Sequence, residues 1–85
     1  MKLVEMMANN QFILEHRGNL IFQSYGTFIA LCEVQDDGSS LMIVDEYDYS
    51  KTTKKYLKRF KEWCNHEETD KTMHNIFLVD RAFGY

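Results

Sequence analysis

Between residues 11 and 47 the apolar and polar positions follow the two-residue period of strands. QFILEH (11–16) runs into the turn RGN. LIFQSY (20–25) runs through Gly26 into TFIALCEV (27–34), and SLMIVDEY (40–47) returns after QDDGSS. The Asp-Gly pair of QDDGSS, flanked by strand-like segments, is a hairpin signature. In TFIALCEV, Phe28, Ala30, Cys32 and Val34 share one parity, and Thr27, Ile29, Leu31 and Glu33 the other. Both sets are largely apolar, so this strand is expected at the centre of a sheet, covered on both faces.

At Tyr49 the period lengthens to that of a helix. In YSKTTKKYLKRFKEW (49–63), Tyr56, Leu57, Phe60 and Trp63, followed by Cys64, fall on one apolar stripe. Lys51, Lys54, Lys55, Lys58, Arg59 and Lys61 fill most of the remainder. Ser50 or Thr52 suits the N-cap, where a hydroxyl accepts from a free first-turn amide. The spacing predicts a helix over about 51–65, stripe on the sheet and basic side in water.

The ends carry weaker patterns. LVEMM (3–7) suits a short helix better than an edge strand, on the propensities of Leu and Met. Ile76, Phe77, Leu78 and Val79 form an unbroken apolar run with β-branched and aromatic members, which reads as a strand. The expected fold class is α+β: an antiparallel β-meander of three to five strands with one amphipathic helix packed on it, in a single domain over 1–85.

Composition narrows the class. The chain has 85 residues, 45% hydrophobic and 14% aromatic, which argues for a packed domain rather than disorder. At this size only about 60% of the unfolded surface is buried, so stability is modest. No apolar run approaches the roughly 18 residues of a membrane span. MKLVEMMANN interrupts its apolar stretch with Glu5 and has no signal-type core. Cys32 and Cys64 sit in unrelated sequence contexts and are expected as buried thiols of an intracellular protein rather than a bridge.

Charge is segregated. Residues 1–50 carry eight acids and two bases (−6), residues 51–61 carry six bases and no acid (+6), and residues 62–85 carry five acids and two bases (−3). Lysines in the first turn of a helix oppose its dipole. Either Asp45, Glu46 and Asp48 neutralise them locally, or the cluster serves a phosphate-bearing or acidic partner. An overall pI near 5.5 and the lack of any zinc-finger, RNA-recognition or KH signature weigh against nucleic acid.

Catalytic and metal patterns are thin. His16, His66 and His74 are scattered, and Cys64, His66 and His74 match no common zinc spacing. The four glycines form no phosphate loop. The expectation is a non-enzyme without metal or cofactor.

The pairing of SYxTxIA (24–30) with YSxTTxKYxxxF (49–60) resembles a family of small uncharacterised domains encoded mainly by bacteriophages and related mobile elements. The matching segments cover a little under half of the chain. The resemblance implies a phage origin and a strand-turn-strand-helix core, with no established activity. In size and charge the chain is also similar to many phage counter-defence proteins, including anti-CRISPR proteins.

The expected function is therefore that of a phage-encoded inhibitor in the cytoplasm of a host bacterial cell, occupying a functional surface of a host protein or ribonucleoprotein complex. Asp36, Asp37, Asp45, Glu46 and Asp48 would meet a phosphate-binding groove, with Tyr47 and Tyr49 as anchors. The alternative is a nucleic-acid-binding accessory protein working through Lys51, Lys54, Lys55, Lys58, Arg59 and Lys61. Neither reading fixes an oligomeric state.

Overall fold

The computed structural model describes residues 1–84. Strands β1 (Lys2–Ala8), β2 (Gln11–His16), β3 (Asn19–Ser24), β4 (Thr27–Val34) and β5 (Ser40–Asp45) form an antiparallel meander. Helix α1 (Lys51–Trp63) then crosses over to β6 (Lys71–Met73), which pairs parallel to β5, and α2 (Asn75–Phe83) follows. The sheet runs β1-β2-β3-β4-β5-β6, so it is six-stranded and mixed, with two helices. The α+β class holds. The strand and helix numbers expected from sequence were too low.

Tight turns set the meander. Arg17 and Gly18 both have positive φ (54° and 82°), as do Tyr25 and Gly26 (50° and 80°). Two-residue loops with this geometry match the twist of the strands they join, and glycine takes the second position without steric cost. At the longer β4–β5 turn, Asp37 Oδ1 accepts from the Ser39 amide at 2.9 Å and its hydroxyl at 2.6 Å, so this side chain builds the turn.

Both faces of the sheet are covered, as the composition of β4 implied. On one face Ile13, Phe22, Ala30, Cys32, Met42 and Val44 pack with Phe60 of α1. The Phe22 and Phe60 rings stack with centroids 5.8 Å apart. On the other face Ile21, Leu31 and Ile43 meet Leu78 and Ala82 of α2. The strict parity expected for β4 breaks at one point. The β3–β4 register passes from Phe22↔Ala30 to Gln23↔Phe28, skipping Ile29. That bulge puts Ile29 with Ala30 on the α1 face and Phe28 with Leu31 on the α2 face.

Three local expectations need correction. Residues 3–7 are strand, not helix: the Asn9–Asn10 turn, with Asn10 at φ 63°, folds them back onto β2, and pairing overrides Leu and Met propensity. Residues 76–79 are helix, not strand. His74 caps α2 by accepting from the Ile76 amide, Gly84 closes it in the left-handed region, and Leu78 and Ala82 are its i, i+4 buried pair. Helix α1 ends at Trp63, and Trp63 itself is 48% exposed rather than part of the buried stripe.

Candidate functional site

The β5–α1 connection turns beside the start of α2 and opens a cleft of about 680 Å³ lined by Thr27, Asp45, Glu46, Tyr47, Asp48, Tyr49, His74 and Asn75. Asp45 ends β5 and is buried. Its carboxylate accepts from the Tyr47 amide at 3.2 Å and from the Tyr49 hydroxyl. Burial, and then that carboxylate, push the Tyr49 phenol well above its usual range. Asp45 and Tyr49 are therefore turned inward, holding the loop. Glu46, Tyr47 and Asp48 are exposed, and the Tyr47 ring meets Tyr49 edge-on at 4.8 Å.

Asp36 and Asp37 lie on the β4–β5 turn, at the opposite end of β5 from this cleft. At a strand rise near 3.3 Å per residue the two acidic groups are roughly 20 Å apart. The seven acidic and aromatic positions singled out in the sequence thus split between two places.

The six cations of α1 do share one place. Ser50 caps the helix by accepting from the Thr53 amide at 3.3 Å, and Thr53 and Phe60 are buried against the sheet. With those two facing inward, the 100° step of a helix turns Lys51, Lys54, Lys55, Lys58, Arg59 and Lys61 outward. All but Lys61 are exposed. Lys54 is paired with Asp48 at 2.6 Å, the local neutralisation the sequence suggested. Lys61 donates to the Thr69 hydroxyl at 2.6 Å. Lys55 and Arg59 lie 5.5 and 5.2 Å from the Tyr56 ring centroid. A shallow groove of about 370 Å³ runs along this side, lined by Lys54, Leu57, Lys58, Lys61 and Glu67.

A third cluster was not anticipated. Cys32, buried in β4, and Cys64, at the C-cap of α1, belong to the same packed face, and their thiols are within hydrogen-bonding reach. Beside them Ser40 Oγ lies 2.8 Å from His66 Nδ1, and His66 Nε2 lies 2.6 Å from Asp70. Asp70 Oδ2 also accepts from the Met42 amide at 2.8 Å, which with the His66 contact holds its carboxyl below the usual range. Cys32 and Cys64 are 32 positions apart, and only the crossover through α1 joins them. His74 is engaged at the start of α2 instead. Among the described residues no group of three or more His, Cys, Asp or Glu side chains is placed to hold a metal ion, and no helix is long and apolar enough to cross a membrane.

The segments that carried the family resemblance meet in space: Ser24 of the first and Thr53 of the second are in hydroxyl contact at 3.2 Å, and Ser50 adjoins Thr53. No curated protein and no solved structure matches the chain. One family does, over residues 1–75, a span that takes in β1 and β6 as well as the two segments recognised from sequence. The chain belongs to the DUF8033 family, a family of unknown function.

Proposed function

We propose that this is a non-enzymatic binding protein that holds a phosphate-bearing strand, single-stranded nucleic acid, along the outer face of α1. The observation that carries the reading is the concentration of six cations on the solvent side of one helix, with only Lys54 matched to a carboxylate among the described residues. A net charge of −3 for the whole chain does not cancel a field this local, because charges beyond about 8–10 Å are screened at physiological salt. The exposed Trp63 follows Arg59 by four residues and supplies a flat face beside the cations, suited to stacking a base.

The test is binding of labelled single-stranded DNA and RNA across a salt series. Engagement of most of the six cations gives a log–log slope of about −3 to −4 for single strands. Trp63 is the one tryptophan of the chain, so its fluorescence reports contact on this face directly. Affinity that is flat in salt, or absent at low salt, would falsify the reading.

A second reading places the contact at the cleft and makes the chain a phage-encoded inhibitor, anti-CRISPR-like, of a host nucleic-acid-handling complex in the bacterial cytoplasm. What supports it is the exposure of Glu46, Tyr47 and Asp48 around the cleft mouth, with Tyr47 at 69%. The phage origin rests on the sequence resemblance. This reading requires that Glu46→Lys with Tyr47→Ala abolish inhibition while the fold is retained. Undiminished inhibition by that variant removes the cleft from consideration.

A further inference from the structure

We propose that Cys32 and Cys64 are a redox-active dithiol that closes to an intrachain disulfide, fastening the C-terminal end of α1 to β4. Cys32 is 4% exposed on the α1 face of the sheet, and Cys64 packs against the same cluster from the C-cap of the helix. Cys64 thus packs on the cluster that holds Cys32, and each thiol acts on the other's ionisation, so the two start as neighbours.

The surroundings differ for the two sulfurs, and the difference gives them separate tasks. Cys64 is half-buried and is the one reachable from solvent. Cys32 lies behind it and is served by a chain of polar groups. Ser40 hydrogen-bonds Cys32 and has its Oγ 2.8 Å from His66 Nδ1, and Asp70 lies 2.6 Å from His66 Nε2 on the far side of the ring. Hydrogen bonding from the Cys64 thiol is the largest influence lowering Cys32, to about 6, while burial and the Asp70 charge act against it. Once Cys64 is modified its hydrogen bond is lost, but those of Ser40 and the His66 charge remain, and both favour a Cys32 thiolate.

The oxidant is a small-molecule disulfide such as oxidised glutathione. The hydrogen bond from Cys64 to Cys32, and then burial, push the Cys64 thiol well above its usual range, so Cys64 passes its proton to the Cys32 thiolate as its sulfur attacks one sulfur of the small disulfide. The sulfur–sulfur bond breaks, and the thiolate that leaves takes the proton from Cys32. The Cys32 thiolate then attacks the Cys64 sulfur of the mixed disulfide and expels the second. Two protein thiols are oxidised to one disulfide, one small disulfide is reduced to two thiols, and the two protons end on the released thiolates.

The test treats the folded, reduced full chain with excess oxidised glutathione, blocks remaining thiols with a maleimide under denaturing conditions, and reads the intact mass. The expected product is monomeric, lacks two hydrogens, and carries neither maleimide nor glutathione. Its thermal midpoint is raised by several degrees, because a closed loop restricts the unfolded chain. Cys32→Ser is expected to stop with one glutathione attached at Cys64. His66→Gln is expected to accumulate that same mixed disulfide transiently and close several-fold more slowly, with unchanged circular dichroism. A wild-type chain that ends with glutathione retained, with both thiols still blocked by maleimide, or as a covalent dimer would overturn the proposal. Because the decisive reading is made on the wild type, it does not depend on whether either variant folds.

Discussion

Ser24, the last residue of β3, and Thr53, in the first turn of α1, meet with their hydroxyl oxygens 3.2 Å apart, both buried. The contact ties the helix start to the meander at the point where the two family-like segments converge. A buried hydroxyl left without a partner costs about 1–3 kcal/mol, whereas removing both members together is nearly neutral. Thr53→Val is therefore expected to destabilise by about 1–2 kcal/mol, since Ser24 is orphaned. Ser24→Ala is expected to cost less, because Thr53 keeps Ser50 Oγ at 3.4 Å. The double variant should fall short of the sum of the two. Urea unfolding of the four chains measures this coupling, and strict additivity would mean the pair does not act as a unit.

Arg81 of α2 grips Glu33 of β4 through a fork, Nε to Oε2 at 2.7 Å and Nη2 to Oε1 at 2.9 Å. The Arg81 bond holds the Glu33 carboxyl below its ordinary 4.5. A carboxyl depressed in the folded state contributes stability above its unfolded value and loses it as pH falls through the folded one. Arg81 is 35% exposed, so solvent screening limits the contribution to about 1 kcal/mol. Glu33→Gln should lower stability at pH 7 and flatten the decline between about pH 5 and pH 3. Melting temperatures recorded across that window check both halves of the expectation.

Helix α2 begins where the DUF8033 match ends, yet it supplies the cover for the centre of the second face of the sheet. Leu78 is fully buried among Ile21, Leu31 and Ile43. Leu78→Ala should cost about 2–5 kcal/mol, the range for emptying a packed leucine site. The same change at Ile76, which is 58% exposed, should be nearly silent. Equal losses at the two positions would show that α2 is not docked in this way.

The meander was legible because its turns announce themselves and its strands largely keep a two-residue period, and α1 because thirteen residues follow a helical period with a hydroxyl cap before them. What failed was short or non-local. Four apolar residues at 76–79 have no readable period, and the deciding signals were the ends, His74 before the run and Gly84 after it. Residues 3–7 carry helix-forming side chains, and only pairing with β2 makes them strand. The bulge at Ile29 is set by β3, so parity counting along β4 alone misassigns Phe28 and Ile29. The basic face was legible for the same reason as α1. The separation of Asp36 and Asp37 from Asp45, and the meeting of Cys32 with Cys64, are products of topology, and no spacing in the chain encodes either.

The pairing of Asp48 with Lys54 separates the two functional readings. Asp48 is exposed on the rim of the cleft, so an inhibitor working through that rim uses its charge and Asp48→Asn weakens binding. If α1 holds a phosphate strand, Asp48 instead competes with phosphate for Lys54, and its neutralisation frees a cation on the binding face. An exposed pair of this kind is worth about 0.2–1 kcal/mol, so Asp48→Asn should tighten nucleic-acid binding by about two- to five-fold and steepen its salt dependence. Lys58→Gln, at a lysine with no carboxylate partner among the described residues, should weaken binding and reduce the slope by roughly one contact. Titrations of the two variants against the same strand at two salt concentrations give opposite signs under the α1 reading. A loss from both would instead move the contact to the cleft rim, with Lys58 acting through the general field.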